Sequence, residues 1–292
     1  IRELQAPFQL DDIVVNVSVS IGIACCPEDG VDEVLLTRNA DAAMYAAKEG
    51  GRSTYRFYNW EMTRAVRERL LMEQRMREGL EQGHFEVWFQ PRVDIATGRL
   101  IGAEGLVRWR DPERGLVSPG EFIPVAEESA LIEQIGQWVL EETCRQNRCW
   151  QDAGLAPVRA SVNVSARQFR NRDFVAMVED VLARTGLAPR WLELEITESM
   201  AMGDAELVRR VLAESKQLGF SVAIDDFGTG FSSLSQLRQL QVDRLKIDRA
   251  FVQEAQSSTA GSTIAQMVIN LGRGLGLTVI AEGIETEEQR QY

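Results

Sequence analysis

The stretch "SVAIDDFGTGFSSL", residues 221–234, joins a short apolar run to two adjacent carboxylates and a turn that contains glycines. The apolar run predicts a buried strand over 220–225, and a helical pattern over 204–218 precedes it. The glycines indicate a tight turn in which the backbone comes close to another group. Because Asp225 and Asp226 repel each other at the end of a buried strand, water, a basic partner or a metal ion must offset that repulsion.

The same unit of helix and strand recurs along most of the chain. The predicted strands cover residues 85–94, 100–109, 158–164, 191–196, 220–225, 243–247 and 277–281. The predicted helices include residues 130–150, 173–186, 204–218 and 262–274. This alternation indicates a parallel sheet covered by helices. Only "ATG" separates the first two strands, so they must form an antiparallel hairpin.

We therefore predict the α/β class, as a modified (β/α)₈ barrel of the TIM type with an antiparallel first strand, over residues 84–292. Seven strands are one fewer than the barrel needs, and we expect the closing strand to lie beyond this sequence. For residues 1–58 the sequence predicts a small α/β fragment of strand, helix and strand. For residues 59–83 it predicts an amphipathic linker helix, with Asn59 as its cap.

Composition narrows the class of function. The chain has 292 residues, of which 45% are hydrophobic and 26% charged, as in ordinary globular proteins. A net charge of -12 opposes binding of duplex nucleic acid, so an anionic ligand needs bound cations or a local basic cluster. We expect a reducing, cytoplasmic setting, because the sequence shows no membrane span or signal peptide and its four cysteines have no metal or redox spacing. The single histidine, His84, disfavours histidine-based metal sites and Ser-His-Asp hydrolysis.

Polar residues stand at or near the ends of six predicted strands, where apolar residues would be expected. They are Glu104, Asn163, Glu195, Asp225, Asp226, Lys246 and Glu282. In a barrel those strand ends meet at one rim, where active sites lie. Five carboxylates without a cation would bind protons, whereas divalent Mg²⁺ or Mn²⁺ suits oxygen ligands. The recurrence of such residues therefore predicts a metal site in which the aspartate pair binds two ions. Any one of these acids alone would be interpreted as an ordinary exposed acid at the end of a strand.

Six motifs in the second part of the chain resemble, in order and spacing, those of the EAL-domain cyclic di-GMP phosphodiesterases. They are "GAEGLVRW", "SVNVSARQF", "LELEITES", "DDFGTGFSSL", "LKIDRAFV" and "VIAEGIET". The resemblance runs from Phe85 to the end of the chain. Residues 1–58 resemble the C-terminal part of a GGDEF-type diguanylate cyclase domain, in "VSVSIGIA" and "NADAAMYAAKEGGRSTYRFY". The motif that names that second family is missing, which implies a fragment with no cyclase active site.

The EAL resemblance implies hydrolysis of cyclic di-GMP to linear pGpG with two Mg²⁺ or Mn²⁺ ions. It implies metal ligands at Glu104, Asn163, Glu195, Asp225, Asp226 and Glu282, and a catalytic set of Glu104, Lys246 and Glu282. Lys246 would orient the attacking water, while Glu282 would either bind metal or accept a proton. The resemblance also implies substrate contacts at Gln90, Leu106 and Arg108, and bracing of the Asp-Phe-Gly loop by Glu198 and Glu285. An ion pair with Glu104 is the alternative for Arg108.

One position of the motif that names the family differs here. Gly105 replaces the alanine that is usual in that motif, and we expect little effect because this position faces away from the site.

Other functions remain open. A non-catalytic cyclic di-GMP receptor is the main alternative, disfavoured because every ligand position within the chain is filled. An enolase-like barrel and a structural dimerisation module are weaker alternatives. We also expect a homodimer.

Overall fold

The fold is described by a computed structural model that covers most of the chain. It describes residues 1–10, 13–15, 17–228, 234–257 and 259–291. Within the stretch 221–234, residues 229–233 lie outside the described residues. The chain divides into two compact units, residues 1–75 and 76–292. The finer division into 1–58, 59–83 and 84–292 stays a prediction.

Ahead of the predicted linker helix, the first unit contains short strands and one long helix among its described residues, as its sequence predicts. Its elements are β1 (Phe8–Leu10), β2 (Ile13–Val15), β3 (Ile21–Ile23), α1 (Glu33–Glu49) and β4 (Tyr55–Phe57). β1 pairs with β2 antiparallel, and β3 pairs with β4 in parallel. Asp32 caps α1 by accepting a hydrogen bond from the backbone N–H of Leu35 at 2.8 Å, and Gly50 follows the last turn.

The predicted linker helix is present as α2 (Trp60–Gln82). Its cap is the expected one, since Oδ1 of Asn59 accepts a hydrogen bond from the backbone N–H of Met62 at 3.2 Å. Met76 is fully buried, whereas Leu70 is 61% exposed. The helix is therefore amphipathic, although not all of its large apolar side chains are covered.

The second unit is built on one curled sheet. Its strands are β5 (Phe85–Val93), β6 (Leu100–Asp111), β7 (Gly115–Val117), β8 (Arg159–Asn163), β9 (Leu192–Thr197), β10 (Ser221–Phe227), β11 (Arg244–Ile247) and β12 (Thr278–Ala281). The order across the sheet is β12-β11-β10-β9-β8-β6-β5, with β7 paired to β6. β5 pairs with β6 antiparallel, and every step from β6 to β12 is parallel. The predicted α/β class and antiparallel first strand are confirmed, and β5 and β12 are the sheet edges within the described residues.

Helices lie between the parallel strands in the sequence, and a further helix follows the last strand of the described residues. They are α3 (Pro119–Glu128), α4 (Leu131–Asp152), α5 (Ala166–Arg170), α6 (Phe174–Thr185), α7 (Glu198–Ala201), α8 (Ala205–Leu218), α9 (Leu234–Leu237), α10 (Arg249–Ser257), α11 (Thr259–Gly274) and α12 (Glu287–Gln291). Local sequence fixes several ends. Asp204 caps α8, and Gly186 and Gly219 end α6 and α8 in the left-handed conformation. No helix of the described residues is long and apolar enough to cross a bilayer.

Alternation along the strands separates the core from the polar cluster. Leu192, Leu194 and Ile196 of β9 are at most 2% exposed and pack under the helices, and burial of each contributes ~1.5–3 kcal/mol. Glu193 and Glu195 of the same strand are 1% exposed on the other face. The strand thus presents buried carboxylates on the face opposite the apolar core, where they need charged partners.

Candidate active site

Lys246 of β11 lies at the centre of a buried charge cluster. Its side chain is 1% exposed, and its Nζ donates to Glu104 at 3.3 Å, Glu195 at 2.5 Å, Asp225 at 2.9 Å and Glu282 at 2.6 Å. Although burial lowers the pKa of a lysine, these carboxylates raise that of Lys246 above its ordinary value. The structure therefore brings together, around one ammonium group, residues up to 178 positions apart in the chain.

A bulge in β10 explains the adjacent aspartates. The register between β10 and β11 shifts between Ile224 and Phe227, and Asp226 has a left-handed φ of 53°. A regular strand would turn neighbouring side chains to opposite faces. Here oxygens of Asp225, Asp226 and Glu282 all lie within 4.8 Å of one another. The bulge lets two successive carboxylates serve one site, which is a common use of bulges.

The carboxylates of the cluster have pKa values that reflect burial and crowding. Burial raises the pKa of Asp226, and Asp225 and Asp248 raise it further. Burial also raises the pKa of Glu282 to about 6, against the opposing effect of Lys246. Such a set of hard oxygen donors fits a divalent cation, which would replace the protons that the crowded carboxylates otherwise favour.

Arg92 of β5 is a second cation of the cluster that the sequence analysis missed. Its guanidinium donates to Glu104 and Glu193 at 2.9 Å each, and also to Glu195. Arg244 donates to the other oxygen of Glu193. Burial raises the pKa of Glu193 to about 7, although Arg92 lowers it. Arg92 therefore contacts two predicted metal ligands, Glu104 and Glu195, and also the buried ion pair of Glu193 with Arg244. Its position two residues after Gln90, on the same face of the strand, is the signal that could have identified it.

The three predicted substrate contacts lie on the face of the hairpin that carries Glu104. Gln90 of β5 pairs directly opposite Glu104 of β6, and Leu106 and Arg108 follow Glu104 on the same face. Gln90 is exposed, and the other two are half-buried. The alternation used in the sequence analysis is thus correct for this strand.

Arg108 contacts Trp88 and its own strand, and its predicted contact with the substrate stays a prediction. Its guanidinium carbon lies 5.3 Å from the ring centroid of Trp88, and Nη1 donates to the carbonyl of Val107 at 2.8 Å. The alternative ion pair with Glu104 is not observed in the described part of the chain, because the partners of Glu104 are Arg92, Asn163 and Lys246. Trp88 is the second residue of this region that the sequence analysis missed.

Of the remaining predicted residues, Asn163 and Glu198 have contacts in or next to the cluster. Asn163 donates from Nδ2 to Oε1 of Glu104 at 2.8 Å. Glu198, 3% exposed, accepts a hydrogen bond from the backbone N–H of Gly228 at 2.7 Å, next to the aspartate pair. The side chain of Glu285 is exposed. The bracing roles of Glu198 and Glu285 stay predictions.

Gly105 faces away from the site, as expected, but its surroundings are tight. A Cβ atom at this position would lie 2.5 Å from Oγ1 and 3.3 Å from Cγ2 of Thr143 on α4. Thr143 is fully buried, and its hydroxyl has no hydrogen-bond partner among the described residues. An alanine at this position therefore requires Thr143 or the strand to move, and the expectation of little effect on activity stays a prediction.

Comparisons with known proteins extend these observations. The family model "EAL domain" matches residues 73–292, and the model "Diguanylate cyclase, GGDEF domain" matches residues 1–54. MucR of Pseudomonas aeruginosa, named a bifunctional diguanylate cyclase/cyclic di-GMP phosphodiesterase, is 42% identical over 100% of this chain and 43% of its own length. The cyclic di-GMP phosphodiesterase PdeR of Escherichia coli is 38% identical over 100% of this chain and 44% of its own. The chain thus spans less than half the length of these two relatives.

A solved structure agrees with the sequence matches. The structure titled "PaMucR Phosphodiesterase, c-di-GMP complex" superposes with a TM-score of 0.74 and 43% identity, covering 76% of this chain and 90% of that one. The fold, the order of the strand-end motifs and the family model all point to one conclusion. The chain belongs to the EAL-domain family and carries, ahead of that domain, a segment matching the GGDEF domain.

Proposed function

We propose that this chain is a phosphodiesterase that hydrolyses cyclic di-GMP to linear pGpG with the help of divalent metal ions. The observation that carries the proposal is the convergence of Glu104, Glu195, Asp225 and Glu282 on Lys246, with Asp226 turned to the same place by the bulge. The names of MucR and PdeR and the ligand of the MucR structure support the choice of substrate.

The donor chemistry supports Mg²⁺ or Mn²⁺ as the metal, with two ions expected. The ligands would be Glu104, Asn163, Glu195, Asp225, Asp226 and Glu282. When bound, such ions make water a stronger nucleophile and neutralise negative charge on the reacting phosphate. The three carboxylate oxygens within 4.8 Å of one another provide the densest negative charge for them.

The side chains of the chain supply positioning and proton handling. Lys246 stays protonated and orients water while it fixes the four carboxylates that it contacts. Glu282 would either bind metal or accept a proton, and burial raises its pKa to about 6 when no metal is bound. Gln90, Leu106 and Arg108 contact the dinucleotide, for which the planar guanidinium of Arg108 suits a phosphate or a guanine edge. A homodimer remains part of the proposal.

The test is incubation of the chain with cyclic di-GMP and Mg²⁺ or Mn²⁺, with the product identified by mass. Asp225→Asn and Asp226→Asn should each abolish hydrolysis, because each removes a ligand charge and keeps the shape. Asp180→Asn is the control, since Asp180 is an exposed residue of α6 that pairs with Arg184. Equal turnover by wild type and Asp225→Asn at saturating metal would contradict the proposal. Binding of cyclic di-GMP without cleavage in any metal would favour the receptor instead.

A further inference from the structure

Trp88 is an exposed aromatic residue on the strand face that leads to the charge cluster. It pairs directly opposite Leu106, on the same face as Gln90 and Glu104. With a rise of about 3.3 Å per residue, Trp88 lies about 7 Å along the strand from the level of Glu104. A single nucleotide spans a distance of this order between its phosphate and its base. A ligand whose phosphate reacts at the cluster can therefore place a base at Trp88.

Several contacts hold the Trp88 ring in one orientation. Its Nε1 donates to Oε2 of Glu86 at 3.0 Å, and Glu86 is paired with Arg110 at 2.8 Å. The guanidinium of Arg108 lies 5.3 Å from the ring centroid. Even so, the residue is 45% exposed. An aromatic surface that is fixed and open to solvent loses little conformational entropy when a flat ligand stacks on it.

From this arrangement we propose that Trp88 is a stacking surface for one guanine base of the dinucleotide, and that Arg108 reads the edge of that base. The inference rests on the proposed function. Stacking on an aromatic ring is favourable for every base, so Trp88 contributes affinity. Arginine donates two hydrogen bonds to O6 and N7 of guanine, a pattern that adenine does not offer, so Arg108 contributes the choice of base.

The test compares Trp88→Leu, which removes the aromatic face, with Trp88→Phe, which keeps one. The matched control is Trp60→Leu, because Trp60 is 64% exposed and has Arg64 at 5.4 Å over its ring, but lies on α2. Calorimetry with cyclic di-GMP and Ca²⁺ should show ~5- to 150-fold weaker binding for Trp88→Leu, the range of base–aromatic stacking. Trp88→Phe should stay within a few-fold of wild type, and the control should be unchanged. Tryptophan fluorescence should be quenched by the ligand in wild type and less so in Trp88→Phe.

Metal binding separates this inference from a loss of the site itself. Trp88→Leu should show the same rise of the thermal midpoint with Mg²⁺ or Mn²⁺ as wild type, because Trp88 is not among the proposed metal ligands. Loss of this rise together with cyclic di-GMP binding would overturn the inference, because Trp88 would then support the fold of the site. Equal binding of cyclic di-GMP by wild type and Trp88→Leu would also overturn it and leave the proposed function intact. If wild type neither binds nor cleaves cyclic di-GMP in any metal, the proposed function itself fails.

Discussion

In the cluster, Lys246 and Arg92 are each in contact with several carboxylates, so these two cations face more negative charges than they can neutralise. Lys246 contacts four carboxylates, and Arg92 contacts three, of which Glu104 and Glu195 are shared. A buried charge that loses its partner costs ~3–5 kcal/mol, far more than a surface ion pair contributes. Removing either cation therefore changes the protonation of the carboxylates as well as the shape of the site. Substitutions here need a readout that separates chemistry from binding.

Lys246→Ala should lower the rate of cyclic di-GMP hydrolysis ~10²–10⁴-fold, the range typical of an acid–base or orienting group. Binding of cyclic di-GMP with Ca²⁺ should be retained, since Gln90 and Arg108 still contact the ligand. Single-turnover kinetics beside calorimetry measure the two quantities. Lys216→Ala, at a half-exposed lysine of α8 that is 3.8 Å from Asp243, is the control. A parallel loss of rate and binding would show that the lysine holds the ligand rather than the water.

Gly105→Ala should lower the free energy of unfolding by ~1–3 kcal/mol, the usual cost of overpacking a filled core. Thr143→Ala should restore much of this loss in the double variant, because it removes the nearest atom, Oγ1 at 2.5 Å, together with Cγ2 at 3.3 Å, and leaves only Cγ1 of Val87 at 3.3 Å. Thr143→Ala alone should cost little, because the hydroxyl it removes is buried without a partner among the described residues. Urea unfolding of the four proteins gives the coupling energy. Additive effects of the two substitutions would contradict the steric explanation.

At the scale of elements, sequence patterns predicted the fold well and the site in part. Strand alternation was sufficient to place Glu104, Leu106 and Arg108 on one face, since period-2 patterning depends only on the strand being regular. The bulge at Asp226 could not be predicted, because its left-handed backbone depends on the pairing of β10 with β11. Arg92 was missed for a similar reason: its three carboxylate partners lie on two other strands.

The contact between α7 and the end of β10 gives a prediction at this scale. Glu198→Ala should lower the free energy of unfolding by about 1–3 kcal/mol, because the N–H of Gly228 loses the acceptor 2.7 Å away. Hydrolysis should also fall, since Asp225 and Asp226 immediately precede this point. Glu198→Gln should keep much of the stability and much of the hydrolysis, because its amide oxygen still accepts the hydrogen bond from Gly228. Urea unfolding and steady-state kinetics measure the two effects, with Glu206→Ala at an exposed position of α8 as the control. An unchanged rate in Glu198→Ala would remove the bracing role.

At the scale of the whole molecule, the acidic balance of the chain leads us to expect that its stability depends on cations. The net charge is -12, and the buried cluster concentrates part of that charge at one end of the sheet. Salt screens exposed charges at the surface, but screens a buried cluster much less. A divalent cation that binds the cluster should therefore stabilise the folded chain beyond the effect of ionic strength alone.

Addition of Mg²⁺ or Mn²⁺ at constant ionic strength should raise the thermal midpoint of the unit spanning residues 76–292. A ligand that binds only the folded state, at 100 times its dissociation constant, contributes ~2.7 kcal/mol of stability. The double variant Asp225→Asn, Asp226→Asn should lose this rise, since two of the three closely spaced carboxylates become neutral amides. Asp180→Asn should keep it. Each protein is compared with itself in calorimetric scans with and without metal, so that any change in baseline stability cancels. A rise of equal size in the double variant would place the cation at another part of the chain, and the metal assignment for the aspartate pair would then be wrong.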